Sequence, residues 1–196
     1  MKERGSRVSG IALACAMALA TFGVATGASA GEAADKAAEA EKLLAAGKVD
    51  EAVAAFDESI EAFWKTAPLG FRKAVFVDKV NGFGDYVAHE GTTFAPKSEL
   101  KIYAEPVGFG STVTATGHRI AFKTEIEIRN QSGQILARSP NPAPLEKTGL
   151  SRSREFQITV GFQLPDLKPG VYVLVLKVTD EATGKSAPIE LPLTIS

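Results

Sequence analysis

Between Arg119 and Arg129 the chain reads RIAFKTEIEIR, with Ile120, Phe122, Ile126 and Ile128 on one side of a two-residue alternation and Lys123, Glu125, Glu127 and Arg129 on the other. A period of two over this length fits an extended strand with one face in a core and one face carrying balanced charge. Such a strand is antiparallel and half-buried, so the rest of the chain must supply the opposite wall of the core.

Similar runs follow one another from Phe71 onward. KAVFVDKV closes on Asn81-Gly82, a dipeptide that tolerates positive φ in tight turns. ELKIYAEPV sets Leu100, Ile102 and Ala104 against Lys101, Tyr103 and Glu105, and REFQITVGFQL aligns Phe156, Ile158, Val160, Phe162 and Leu164. Near the end, VYVLVLKVTD turns through EATGK into SAPIELPLTI, where Pro188 and Pro192 mark an edge strand because neither can donate to a ladder. PNPAPLEKTG, between these groups, reads as a proline-rich connection without structure. About seven strands with turns between them and no helix predict a mainly β fold: an immunoglobulin or fibronectin III-like antiparallel β-sandwich over residues 69–196.

Residues 31–68 differ in kind. They are rich in alanine and acids, lack proline until Pro68, and break at Gly47, which predicts a helical hairpin whose second helix restarts at an Asp50 N-cap. On that helix Val53, Phe56, Ile60, Phe63 and Trp64 recur at three- and four-residue spacing as one apolar stripe. The stripe must be covered by the protein's own sandwich, by a second copy or by a partner. VYVLVLKVTD is apolar on both faces, so the expectation is that the hairpin lies over its outer face, with Phe56, Ile60 or Phe63 near Val173 and Val175.

Residues 1–30 carry Lys2, Arg4 and Arg7, then the run IALACAMALATFGVA, then Ala28-Ser29-Ala30. This is the pattern of a secretory signal peptide cut after Ala30, giving a periplasmic or secreted protein with no membrane span after cleavage. Cys15 within ALAC raises lipidation as an alternative, although the apolar run continues past it. Cys15 is the only cysteine, so a chain starting at Gly31 has neither disulfide nor thiolate chemistry. The formal charge is −1 for the whole sequence and about −3 without residues 1–30, which gives no electrostatic reason to bind nucleic acid.

Two resemblances follow from these residues. Gly47, Val49, Ala52, Phe56, Ser59 and Ile60 stand where a tetratricopeptide repeat has its turn glycine, small alanines and large apolar pair, so the hairpin resembles a single such repeat. LKPGVY resembles the entry to a late strand in fibronectin III domains, which would give Tyr172 the tyrosine-corner role. Together with a GFG turn, IYAEPVGF, IEIRNQSGQIL and LPDLKPGVYVLVLKVTDEATGKSA, most of the chain resembles bacterial extracytoplasmic proteins with an Ig or fibronectin III-like sandwich. That likeness implies no known reaction.

Candidate chemistry is sparse. Gly184-Lys185-Ser186 ends like a phosphate-binding loop but sits between two strands rather than before a helix. Glu125 and Glu127 share a face flanked by Lys123 and Arg129, the pattern of a solvated strand. Asp85, His89, His118 and Ser111 lack any ligand or nucleophile spacing. The reading is therefore a non-enzymatic binding or scaffold protein of the bacterial envelope, with an envelope protein partner, no nucleic acid, no metal and no cofactor. Its candidate partner contacts are Phe83, Phe109, Phe63 and Trp64. The alternative is a small-ligand or carbohydrate-binding protein, or an enzyme whose site is assembled from loops. Two GFG triplets, at Gly82 and Gly108, read as turns, and Phe109 either seals the end of the sandwich or projects toward a partner.

Overall fold

A computed structural model describes residues 31–140 and 145–196. The proposed signal peptide and its cleavage site lie outside the described residues. Gly31–Ser196 form one compact unit. It begins with α1 (Glu32–Ala45) and α2 (Val49–Thr66) and continues through β1 (Gly70–Gly82), β2 (Asp85–Ala88), β3 (Thr93–Phe94), β4 (Glu99–Val107) and β5 (Thr112–Thr114). Then come β6 (Gly117–Asn130), β7 (Ile135–Pro140), β8 (Leu145–Gly149), β9 (Ile158–Gln163), β10 (Gly170–Asp180) and β11 (Ser186–Ile195).

One sheet has the order β2-β1-β4-β9, and the other β3-β11-β10-β6-β5, with β7 and β8 also paired to β6. The β1-β4-β9 and β7-β6-β10-β11 neighbours give the A-B-E and C′-C-F-G order of an immunoglobulin or fibronectin III-like sandwich. Among the described residues all pairings are antiparallel except the short one between β3 and β11. Between the sheets lie Leu100, Ile102, Ile126, Ile128, Ile158, Val160, Leu174, Leu176, Val178 and Leu193, all essentially without solvent contact. The Tyr172 hydroxyl donates to the Lys168 carbonyl at 2.8 Å. This is the bond of a tyrosine corner, in the place LKPGVY indicated.

Among the described residues eleven strands stand where about seven were expected. LEKTG, expected to be structureless, forms β8 against Phe122–His118 of β6, and the STVTATG stretch closes a β5–β6 hairpin with Thr112 opposite Arg119. Both added strands pair with the N-terminal part of β6, where His118 and Arg119 have β5 on one side and β8 on the other.

The helices pack through small residues. Ala40 of α1 and Ala52, Ala55 and Ser59 of α2 are buried, and the Ser59 hydroxyl donates to the Ala33 carbonyl at 2.6 Å. Gly47 takes φ 75° beyond the C-cap of α1, as its place in the sequence required. α2 starts at Val49 after a Lys48 N-cap, so Asp50 lies in the first turn rather than capping it, where its charge still suits the helix dipole.

The hairpin does not cover β10. Three residues of its apolar stripe point to solvent instead: Val53 is 59% exposed, Phe56 52% and Phe63 61%. Val175 is nonetheless buried, because Glu127 and Glu190 stand directly across from it on the neighbouring strands, within a field of long charged side chains whose stems shield apolar surface. In the first sheet Tyr103, expected to face outward, is also fully buried. Register shifts at Val77/Lys79 and Val80/Gly82 bend the β1–β2 hairpin. Its tip reaches Tyr103, where the Gly84 amide donates to the hydroxyl at 2.8 Å and the Tyr86 ring lies 4.4 Å away.

Candidate functional site

Trp64, in the last turn of α2, is where the helices join the sandwich. Its indole N–H donates to the Phe109 carbonyl at 2.6 Å, and the two rings meet edge-on at 5.6 Å. Phe109 in turn packs against Phe122 at 5.6 Å and Phe156 at 6.4 Å, and only 3% of it is exposed. Of the two roles open to Phe109, the fold gives it the sealing one. Phe109, buried there, offers no free partner contact, while Trp64 is partly buried against it.

The second GFG is built into this joint. Gly108 has φ 75°, and a Cβ there would stand 2.2 Å from the Pro68 carbonyl oxygen. At Gly110 a Cβ would stand 2.5 Å from the Thr183 methyl, while the Gly110 amide donates to Asp180 Oδ2 at 2.7 Å. Asp180 is fully buried; its carboxylate also accepts from the Thr183 hydroxyl and, at 3.0 Å, from the Ala182 amide. Gly84 in the first GFG has a similar φ of 73° but nothing within 4 Å of a Cβ, so that triplet is a turn tied down through its Gly84 amide alone. Phe83 at its tip is 40% exposed.

Lys185 completes the joint. Its ammonium donates to the carbonyls of Ala67 at 2.7 Å, Gly108 at 2.8 Å and Trp64 at 3.2 Å, all three of an ammonium's donors thus being directed at carbonyl oxygens. A cation at the end of α2 faces the negative pole of the helix dipole. The GKS triplet is therefore the turn its context indicated, and its lysine has a structural partner no periodicity could reveal. Across the same junction Arg152 pairs with Glu61, and Arg154 reaches Glu61 at 2.9 Å and Asp57 at 3.6 Å. An open groove of about 590 Å³ runs along this seam, lined in part by Lys36, Glu58, Trp64, Phe109 and Arg154.

Phe109 lies between the second and third main strands, and Lys185 between the last two. In immunoglobulin-type domains these positions form loops at one end of the sandwich that are often free to bind. Here they grip α2. What the molecule presents instead is the hairpin: Leu44, Val49, Val53, Phe56 and Phe63 are each more than half exposed, and the four on α2 fall within one narrow sector of a helical wheel.

The titratable candidates are not brought together. His89 Nδ1 lies 2.6 Å from Asp78 Oδ1, with its ring stacked on Phe94 at 4.4 Å. His118 is in β6 opposite Val113 and Gly149, and Asp85 accepts from the Asn81 amide at 3.1 Å. Ser98 lines a 340 Å³ hollow with His89 and Asp78, but its hydroxyl donates to the Ala95 carbonyl at 2.8 Å. Among the described residues no three histidine, cysteine or carboxylate side chains are grouped to hold a metal ion.

Glu127 departs most from the sequence reading. Expected on a solvated face, it is fully buried, with Lys177 at 2.6 Å and Arg138 at 2.7 Å from Oε1 and Arg129 on Oε2. Those contacts, led by Lys177, hold its carboxyl at about 2, well below its ordinary 4.5, against the opposing effect of burial.

No family model matches this sequence, and no curated protein matches it. Among solved structures, a Niemann-Pick type C2 protein from Japanese carpenter ant is similar at a TM-score of 0.40 and 10% identity, over 66% of this chain and 94% of that one. The sporulation control protein Spo0M from Bacillus subtilis is similar at 0.40 and 10%, over 66% and 50%. The PKD domain of an M14-like peptidase from a Thermoplasmatales archaeon is similar at 0.35 and 11%, over 66% and 96%. No helix among the described residues is long and apolar enough to cross a membrane.

Proposed function

We propose that this chain is a non-enzymatic binding or scaffold protein of the bacterial cell envelope, in which an immunoglobulin-like sandwich holds out a helical hairpin to a protein partner. One observation carries this reading: Val49, Val53, Phe56 and Phe63 are 52–61% exposed along one side of α2. Scattered exposed apolar residues are ordinary, whereas a contiguous row of large ones marks a contact surface. The likeness to a single tetratricopeptide repeat agrees with it, since one such unit leaves unpaired the face that its neighbour would cover. Secretion supplies the address: cleavage after Ala30 leaves Gly31 as the N-cap of α1.

The test is a photo-crosslinking residue at Val53 in intact cells, with Phe56→Ser/Phe63→Ser added to the same chain as the control. The expected result is a discrete protein adduct that the double substitution reduces at least tenfold while the melting temperature is kept. The rival reading, a ligand or reaction site in the His89–Asp78 hollow, replaces this one if the stripe gives no adduct and His89→Ala abolishes the cellular phenotype in a folded protein.

A further inference from the structure

Among the described residues every sheet edge but one carries a feature that discourages pairing. β2 has four residues beside two irregularities in β1, and β5 has three. β7 contains Arg138 and Pro140, and β8 contains Glu146 and Lys147. β11 contains Pro188 and Pro192, and β3 covers its end. Short strands, charges and prolines are the usual means by which sheets avoid joining edge to edge. β9 has none of them: ITVGFQ is six residues long, uncharged and free of proline.

The direction of its backbone groups follows from one bond. The Leu164 amide donates to the Ser98 carbonyl at 3.0 Å, on the register that pairs Phe162 with Leu100, Val160 with Ile102 and Ile158 with Ala104. In an antiparallel ladder the bonding direction alternates, so the amides and carbonyls of Thr159, Gly161 and Gln163 point away from β4. Among the described residues no strand pairs with that side. The Thr159 hydroxyl is buried with no hydrogen-bond partner.

We propose that β9 pairs antiparallel with β9 of a second copy of this chain, about a twofold axis through Gly161. That register sets Val160 opposite Phe162 of the copy on the core side, and Thr159 opposite Gln163 on the outer side. Outward-pointing backbone groups then meet outward-pointing groups, giving about six new ladder bonds. The pairing is self-complementary, as a twofold contact must be, and no like charges oppose each other. Gln163 donates its side-chain amide to the Lys97 carbonyl, which holds that side chain clear of the new ladder. The first sheets of the two copies become one continuous sheet. This surface is separate from the α2 stripe and stands or falls independently of it.

The test is sedimentation of the purified protein from about 1 to 200 μM, alongside Gly161→Pro and Gly161→Lys. Proline removes an outward amide hydrogen and no bond to β4. Lysine sets two like charges at the axis, and its Cβ meets only the movable end of Glu99 at 3.2 Å. The expected result is a concentration-dependent dimer for the native chain and at least a tenfold weaker one for both variants, with Phe56→Ser/Phe63→Ser unaffected. A native chain that stays monomeric throughout overturns the proposal, as does a dimer lost on substituting the α2 stripe and kept in the Gly161 variants. If the variants do not fold, hydrogen exchange on the native chain decides: Gly161 and Gln163 amides that slow with concentration support the pairing, and amides that exchange freely at every concentration overturn it.

Discussion

Trp64 and Phe109 are 45 residues apart, and the indole N–H of the first donates to the main-chain carbonyl of the second at 2.6 Å. Their rings also meet edge-on, so one side chain supplies both an apolar and a directional tie between the helices and the sandwich. Trp64→Phe keeps most of the apolar contact and loses the bond, at a cost of about 1 kcal/mol. Trp64→Ala loses both, at about 3 kcal/mol. Thermal unfolding should show a fall of about 3 °C for the first and about three times that for the second.

The two GFG triplets should respond differently to alanine. Gly84→Ala meets no atom and bears only the strain of positive φ, about 1 kcal/mol. Gly108→Ala bears the same strain and also drives a Cβ to 2.2 Å from the Pro68 oxygen, so the chain linking α2 to β1 must move. We expect Gly108→Ala to lower the unfolding midpoint at least twice as far as Gly84→Ala. Limited proteolysis should also find the linker at Ala67–Leu69 cut faster in Gly108→Ala alone.

These contrasts show what the sequence disclosed. Alternation placed the long strands, because each has one face in a single core and the period survives in the residue order. Gly47 and Tyr172 were legible because their roles are local: a left-handed C-terminal stop, and a bond to a carbonyl four residues back. Lys185 was not, since its three acceptors lie 77 to 121 residues away in sequence. The orientation of the hairpin failed for a related reason. An amphipathic stripe states that a face wants cover, while Ala52, Ala55 and Ser59, too small to stand out in the pattern, mark the face that α1 covers. Glu127 looked like a surface residue because alternation reports which side of a strand a group is on, not whether neighbouring side chains close over it.

Lys185→Met keeps the stem of the side chain and removes the ammonium, leaving the carbonyls of Trp64, Ala67 and Gly108 without their donor. A cation at a partly buried helix end contributes about 1–2 kcal/mol. The substitution should lower stability by that amount and speed hydrogen exchange at the C-terminal turn of α2. Lys185→Arg should restore only part of the loss, because a planar guanidinium cannot direct its donors at three carbonyls as an ammonium does.

Glu127 makes stability depend on acid in a defined window. Its carboxyl titrates at about 2 in the folded chain, against an ordinary 4.5. A group whose folded value is depressed stabilises fully above its unfolded value and loses that contribution as pH falls through the folded one. Stability of the native protein should therefore decline between about pH 4.5 and about pH 2, as Lys177, Arg129 and Arg138 lose their shared counter-charge. Glu127→Gln is the control: it keeps the shape of the side chain, costs about 2 kcal/mol at neutral pH because charge-assisted bonds become neutral ones, and should flatten the acid limb. Urea unfolding midpoints measured from pH 7 to pH 2 check both parts. A variant whose acid limb is as steep as that of the native protein would move the sensitivity to other carboxylates.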